Sequence, residues 1–110
     1  MAYDEALADR IRALLGGRAG LTEKKMFGGL AFLVGGNMAV AASSHGGLMV
    51  RVEPAESEAL VAASPARVVE MRGRAMPGWL YLEAAHVAED DALASWVGRG
   101  TAFARTLPPK

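Results

Sequence analysis

Apolar positions recur along this chain with two different periods, and the switch between them sets out its elements. Around residues 4–15, Tyr3, Leu7, Ile11, Leu14 and Leu15 fall within an arc of about 120° at 100° per residue, which predicts a helix. Arg10 and Arg12 lie off that arc, Asp4 is placed to cap the first turn, and Gly16 with Gly17 ends it. From residue 23 the period shortens to two. Short apolar-rich runs at residues 23–27, 30–34, 38–43 and 48–52 are separated by Gly28-Gly29, Gly35-Gly36 and Gly46-Gly47, a spacing that predicts antiparallel hairpins. Alternation gathers Leu30, Phe32 and Val34, then Met38, Val40 and Ala42, then Leu48, Val50 and Val52 on one face. The opposite face takes Ala31, Leu33, Ala39, Ala41, Met49 and Arg51.

Pro54 is suited to open a second helix, running to about Ala63 before Pro65. Glu53, Glu56 and Glu58 stand at its start, where the helix dipole favours acids. Two more strands are predicted at residues 68–72 and 79–83, joined across Gly73 to Gly78. A last helix starts near Asp90, with Leu93, Trp96, Val97, Gly100, Phe103, Ala104 and Leu107 as its apolar stripe. The order α-β-β-β-β-α-β-β-α predicts an α+β two-layer sandwich, an antiparallel sheet with helices packed on one face.

The phase of the last strand decides what the other face presents. If Leu80 and Leu82 face the helices, Trp79 and Tyr81 join Leu33 and Met49 on the outer face, rimmed by Arg51 and Arg72. Large apolar groups there mark an interface, because monomers rarely expose large contiguous apolar patches. These six residues are the predicted partner-binding surface, and the same face could pair two copies as a homodimer. The opposite phase, with Trp79 in the core, stays open at this stage.

Composition narrows the picture further. The chain has 110 residues, with 12 Lys plus Arg against 12 Asp plus Glu, so it lacks the basic surplus of a general phosphate-neutralising protein. With 52% hydrophobic and 22% charged residues it is expected to fold, as one domain over residues 1–110. It has no cysteine, which excludes disulfide scaffolds, zinc ribbons and thiol chemistry. Acids at Asp4, Glu5 and Asp9 interrupt any targeting pattern, and glycines break the most apolar stretch, residues 30–42. The expectation is a cytoplasmic protein with no membrane segment.

Candidate chemistry is sparse. The glycine pairs form neither G-x-G-x-x-G nor G-x-x-x-x-G-K-[ST] and lie between strands, so they read as turns. His45 and His86 have no partner at metal-ligand spacing on a shared helix, and neither Ser43 nor Ser44 stands in a G-x-S-x-G context. Glu89, Asp90 and Asp91 are dense enough to suggest a hard cation, but a helix start accounts for them. Two basic groups, Arg18 with Lys24 and Lys25, and Arg67 with Arg72 and Arg74, are each diluted by an acid, Glu23 or Glu70. No helix carries a basic stripe, which argues against direct nucleic-acid binding. No catalytic residue, cofactor or metal is expected.

The segments AYDEALADRIRALL, EKKMFGGLAFLVGGNMAVA, GLMVRV, GRAMPGWLYL and WVGRGTAFARTLPPK together resemble the TfoX N-terminal domain family over nearly the whole chain. The most specific part is Lys24-Lys25-Met26-Phe27-Gly28-Gly29, followed by Phe32 and Asn37-Met38. The resemblance implies a two-layer α/β sandwich with no established catalytic residue or cofactor. It also implies a regulatory role in bacteria. The family's namesake, TfoX or Sxy, regulates competence for DNA transformation and is understood to act as a coactivator with the cyclic-AMP receptor protein. That regulator carries a C-terminal helical domain, which is not expected here because the sequence ends at Lys110. The leading expectation is therefore a non-enzymatic regulatory or adaptor domain acting by protein contact. Its partner would be a cyclic-AMP-receptor-like transcription factor or RNA polymerase. The alternative is a small enzyme or ligand-binding domain with a pocket between sheet and helices, bordered by Gly28-Gly29 and by His45 or His86.

Overall fold

The computed structural model describes residues 3–16, 20–26 and 28–109; Gly17, Arg18 and Phe27, named above, lie outside the described residues. Three helices and six strands follow in the predicted order: α1 (Glu5–Leu15), β1 (Leu21–Met26), β2 (Gly29–Val34), β3 (Asn37–Ala42), β4 (Leu48–Arg51), α2 (Ser57–Ala63), β5 (Arg67–Met71), β6 (Arg74–Leu82) and α3 (Asp90–Thr106). The strands form one antiparallel sheet in the order β1-β2-β3-β4-β6-β5, so β1 and β5 are its edges.

Local chemistry explains most of the boundaries. The Asp4 carboxylate accepts from the N–H groups of Ala6 and Leu7 at 2.9 and 3.2 Å and so caps α1. Gly16 closes that helix in the left-handed region, its N–H donating to the Arg12 carbonyl. Arg10 donates to the Ala88 carbonyl and the Asp90 carboxylate, both at 3.0 Å, which gives the acidic run at the start of α3 a structural partner. The buried Asn37 amide holds the Pro108 carbonyl at 2.9 Å, tying the end of the chain to the start of β3.

The core lies between the sheet and the helices. Leu30, Phe32, Val40, Leu48, Val50 and Leu82 point from the strands toward Ile11 and Leu15 of α1 and toward Leu93 and Val97 of α3, all nearly sealed from solvent. Leu60 and Val61 of α2 and Val68 of β5 pack against the same cluster. Ala8 lies in this buried stripe, whereas Leu14 is turned outward and 36% exposed, contrary to the predicted arc. A helix rests a narrower stripe on a sheet than the arc allowed.

Three further expectations are corrected. Met38 does not share a face with Val40: it packs with Ala31 and Ala41 on the opposite side. The cause is an irregularity between Phe32 and Leu33, where pairing steps from Phe32↔Val40 to Leu33↔Met38 and reverses the alternation of β3. The second helix does not begin at Pro54 as an α-helix, because residues Pro54–Glu56 form a 3-10 turn and α2 follows. The last hairpin turns at Arg72 and Gly73, both at positive φ, and residues 74–78 belong to β6. Pro77 and Gly78 lie in an irregular stretch where pairing jumps from Val68↔Leu80 to Glu70↔Ala75. The Gly78 N–H, freed from that ladder, donates to the buried Ser57 hydroxyl at 2.6 Å.

An exposed bidentate ion pair links α1 to β1, with Arg12 Nε and Nη2 donating to Glu23 at 2.7 and 2.9 Å. Those hydrogen bonds hold the Glu23 carboxyl below its ordinary value of 4.5. The folded state thus prefers the ionised carboxylate, so the pair's stabilisation is complete above 4.5 and is lost as pH falls through the lowered value. Denaturant melts of the parent chain and of Glu23→Gln are expected to differ modestly near neutrality and to converge in acid. A gap that widened toward low pH would contradict the pairing.

A candidate interaction face

On the side of the sheet away from the helices, a second apolar cluster forms. Ala31, Met38 and Ala41 are its buried centre, and Met26, Leu33, Met49 and Trp79 pack against them. The phase left open by the sequence is resolved in favour of Leu80 and Leu82 toward the helices. Trp79 pairs with Arg51 and Tyr81 with Met49 across the β4–β6 ladder, so these four share the outer face. The Arg51 guanidinium stands 4.9 Å from the Trp79 ring centroid and 5.7 Å from that of Phe103.

Tyr81 is the best-fixed member of the face. Its hydroxyl donates to the His45 carbonyl at 3.4 Å, its ring lies 4.9 Å beneath the Arg67 guanidinium, and only 7% of it is exposed. Burial, and next the Glu83 carboxylate, push its phenol up from the usual value; the Gly47 N–H and Arg67 act the other way. Arg67 in turn is paired with Glu83 at 2.8 Å.

Five of the six predicted surface residues are therefore brought together: Leu33, Met49, Arg51, Trp79 and Tyr81. Arg72 is placed apart, exposed at the tip of the β5–β6 hairpin with φ of 53°. Sequence reasoning missed Met26, Met38 and Met71 as members of this surface. Period-two counting from Met26, which follows the exposed Lys24, could have found the first.

An open cleft of about 790 Å³ lies beside this cluster. Both edge strands contribute to its lining, β1 through Met26 and β5 through residues Arg67 to Met71, with Met38, Met49 and Tyr81 between them. Gly29 and His45 lie on its wall, but His86 does not. Between the sheet and the helices Phe32, Ile11, Leu48 and Leu80 are fully buried, while the cleft is also lined by Val61 of α2 and by Ala42 and Val68. Among the described residues no group of three or more His, Cys, Asp or Glu side chains is arranged to hold a metal ion. No helix among them is long and apolar enough to cross a membrane.

Comparison with known proteins adds one finding. A family model described as the TfoX N-terminal domain matches residues 13–104. Curated proteins and solved structures returned no significant match.

Proposed function

The chain belongs to the TfoX N-terminal domain family, and from that premise we propose that it is a non-enzymatic regulatory adaptor working by protein contact through its outer sheet face. The observation that carries this reading is the apolar cluster around Met38, Met49 and Trp79, whose members among the described residues all come from strands. Such a face is suited to be completed by another protein. The role of the family's namesake supplies the setting: regulation of competence genes in the bacterial cytoplasm, with a cyclic-AMP-receptor-like factor or RNA polymerase as the partner.

Capture of the tagged protein from a lysate of its own host, beside a Trp79→Ala control, tests this. Enrichment of either partner that disappears in the control is the expected result. Trp79 is a suitable probe because it packs against the outer cluster of Ala31, Met38 and Ala41 and is not a member of the main core. Recovery of neither protein, or equal recovery by the variant, would overturn the assignment of this face. A second reading, a small-ligand domain, draws on the same cleft. Thermal-shift screening against nucleotides and methyl donors addresses it, since a ligand at 100 times its Kd adds about 2.7 kcal/mol.

A further inference from the structure

The loop between β3 and β4 sets one hydroxyl on the cleft with its proton unused. Ser43 is only 6% exposed and lines the cleft just beyond the end of β3. Ala41 belongs to the outer cluster and Ala42 to the main core, so alternation turns the Ser43 side chain to the side of the methionines. Its backbone is fully committed: the N–H donates to the Gly47 carbonyl at 2.9 Å, and the carbonyl accepts from the Gly46 N–H at 3.0 Å. The hydroxyl oxygen accepts from the His45 N–H at 3.1 Å. A serine hydroxyl is also a donor, and among the described residues this one meets no acceptor. A buried donor left unmatched is costly, so the position calls for an acceptor from outside the chain.

We propose that the cleft binds an uncharged, largely apolar small molecule with a carbonyl acceptor, its chain on the methionines and its oxygen on the Ser43 hydroxyl. This goes beyond the adaptor reading and gives the small-ligand reading its chemistry. Met26, Met38, Met49 and Met71 form an apolar floor whose unbranched thioethers adapt to differently shaped groups. The volume of about 790 Å³ lies within the range of small-molecule sites, roughly 300–1,000 Å³. Charge does not favour an ion at Ser43. Among the described residues Arg67 is the only Lys or Arg in the lining, and it is paired with Glu83 at 2.8 Å. A carboxylate brought to Ser43 would thus lose water without gaining a free counter-charge. A cationic head would fare no better, because the one acid in the lining, Glu70, stands elsewhere. The ladders align the end of β3 with Leu82 of β6, whereas Glu70 pairs with Ala75 near the other end of that strand. The site is also separable from the partner surface, since Trp79 does not line the cleft.

Nuclear magnetic resonance titration of methionine-methyl-labelled protein tests the proposal with methyl hexyl ketone, octanoate and octylammonium, probes of equal length and different head. The ketone is expected to bind saturably, to shift the methyl resonances of Met38 and Met49, and to bind at least about fivefold more tightly than either ion. Ser43→Ala should weaken the ketone about three- to tenfold, as the loss of one hydrogen bond implies. That variant also removes the acceptor of the His45 N–H, so Met71→Gln, at an exposed position, serves as a second. It should keep its Tm and weaken the ketone by about threefold through the floor alone. If Ser43→Ala does not fold, the order of the three probes on the parent chain decides. Binding of either ion as tight as that of the ketone, or methyl resonances unmoved up to the ketone's solubility, would overturn the proposal. So would a folded Ser43→Ala variant that binds the ketone as tightly as the parent. The two readings fail separately. A Trp79-dependent partner without ketone binding refutes the ligand assignment alone, whereas ketone binding at the methionines without a captured partner refutes the regulatory assignment alone.

Discussion

Gly47→Ala is expected to cost about 3 kcal/mol, at the upper end of what overpacking usually imposes, and to lower Tm by roughly 10–20 °C. The residue ends the loop between β3 and β4, where its carbonyl accepts from the Ser43 N–H at 2.9 Å. A β-carbon at this position would overlap the Leu82 carbonyl oxygen and the Tyr81 hydroxyl, and would stand 2.6 Å from Tyr81 Cζ. Neither obstacle is the free end of a flexible chain: one is backbone of a central strand, the other a ring sealed beneath Arg67. Relief requires the loop or Tyr81 to move, and moving Tyr81 breaks its bond to His45. A thermal melt reads the loss, and the near-ultraviolet circular dichroism of Tyr81 should change with it. An unchanged Tm would contradict the packing of this loop.

The second large effect is a change of sign between two glycines one turn-fraction apart on α3. Alanine is better than glycine in a helix interior by about 1 kcal/mol. At Gly98 nothing lies within 4 Å of the added β-carbon, so Gly98→Ala is expected to raise stability by about 0.5–1 kcal/mol. At Gly100 the same atom would overlap the Ala39 carbonyl oxygen and approach Val40 Cγ1 to 2.9 Å. Close packing of α3 on β3 depends on that missing side chain, and overpacking there outweighs the propensity gain. Gly100→Ala is expected to lose about 1–2 kcal/mol net. Urea titration of the two variants checks the contrast. Stabilisation by both would mean that α3 does not rest on Ala39.

How much of this was legible in the sequence follows from the range of the forces involved. The Asp4 cap, the glycine-turned hairpins and the stripes of α1 and α3 depend on neighbours a few residues away, and each was read from spacing. The facing of Leu80 and Leu82 was half legible, since alternation separates them from Trp79 and Tyr81 but does not say which pair meets the helices. Met38 was misplaced because the irregularity opposite Leu33 is a relation between two strands, and nothing in residues 37–42 announces it. Pro77 and Gly78 looked like a loop for a similar reason. Their lost ladder bond is made good by Ser57, a partner distant in sequence. As for the candidate face, its aromatic and cationic members were found by period-two counting. Met49 was found in the same way, but Met26, Met38 and Met71 were not, because a thioether is at home in a core or on a contact surface, and only the placement of the helices tells which.

The two edge strands carry a last consequence, for the protein's behaviour in crowded solution. A sheet with an apolar face and two unpaired edge strands offers backbone groups on which the strand of another chain can add. Strand β1, half-exposed at its ends and fully exposed between, spends those positions on Thr22, Glu23, Lys24 and Lys25. At the far edge, β5 is bracketed by exposed Arg67 and Glu70, and its hairpin tip carries Arg72. Charged side chains at both margins make the addition of another strand costly, so polymerisation is resisted at the edges. Neutralising Lys24, Lys25 and Arg67 would remove that protection and leave the fold's own symmetry of hydrogen bonding free to continue from one molecule into the next.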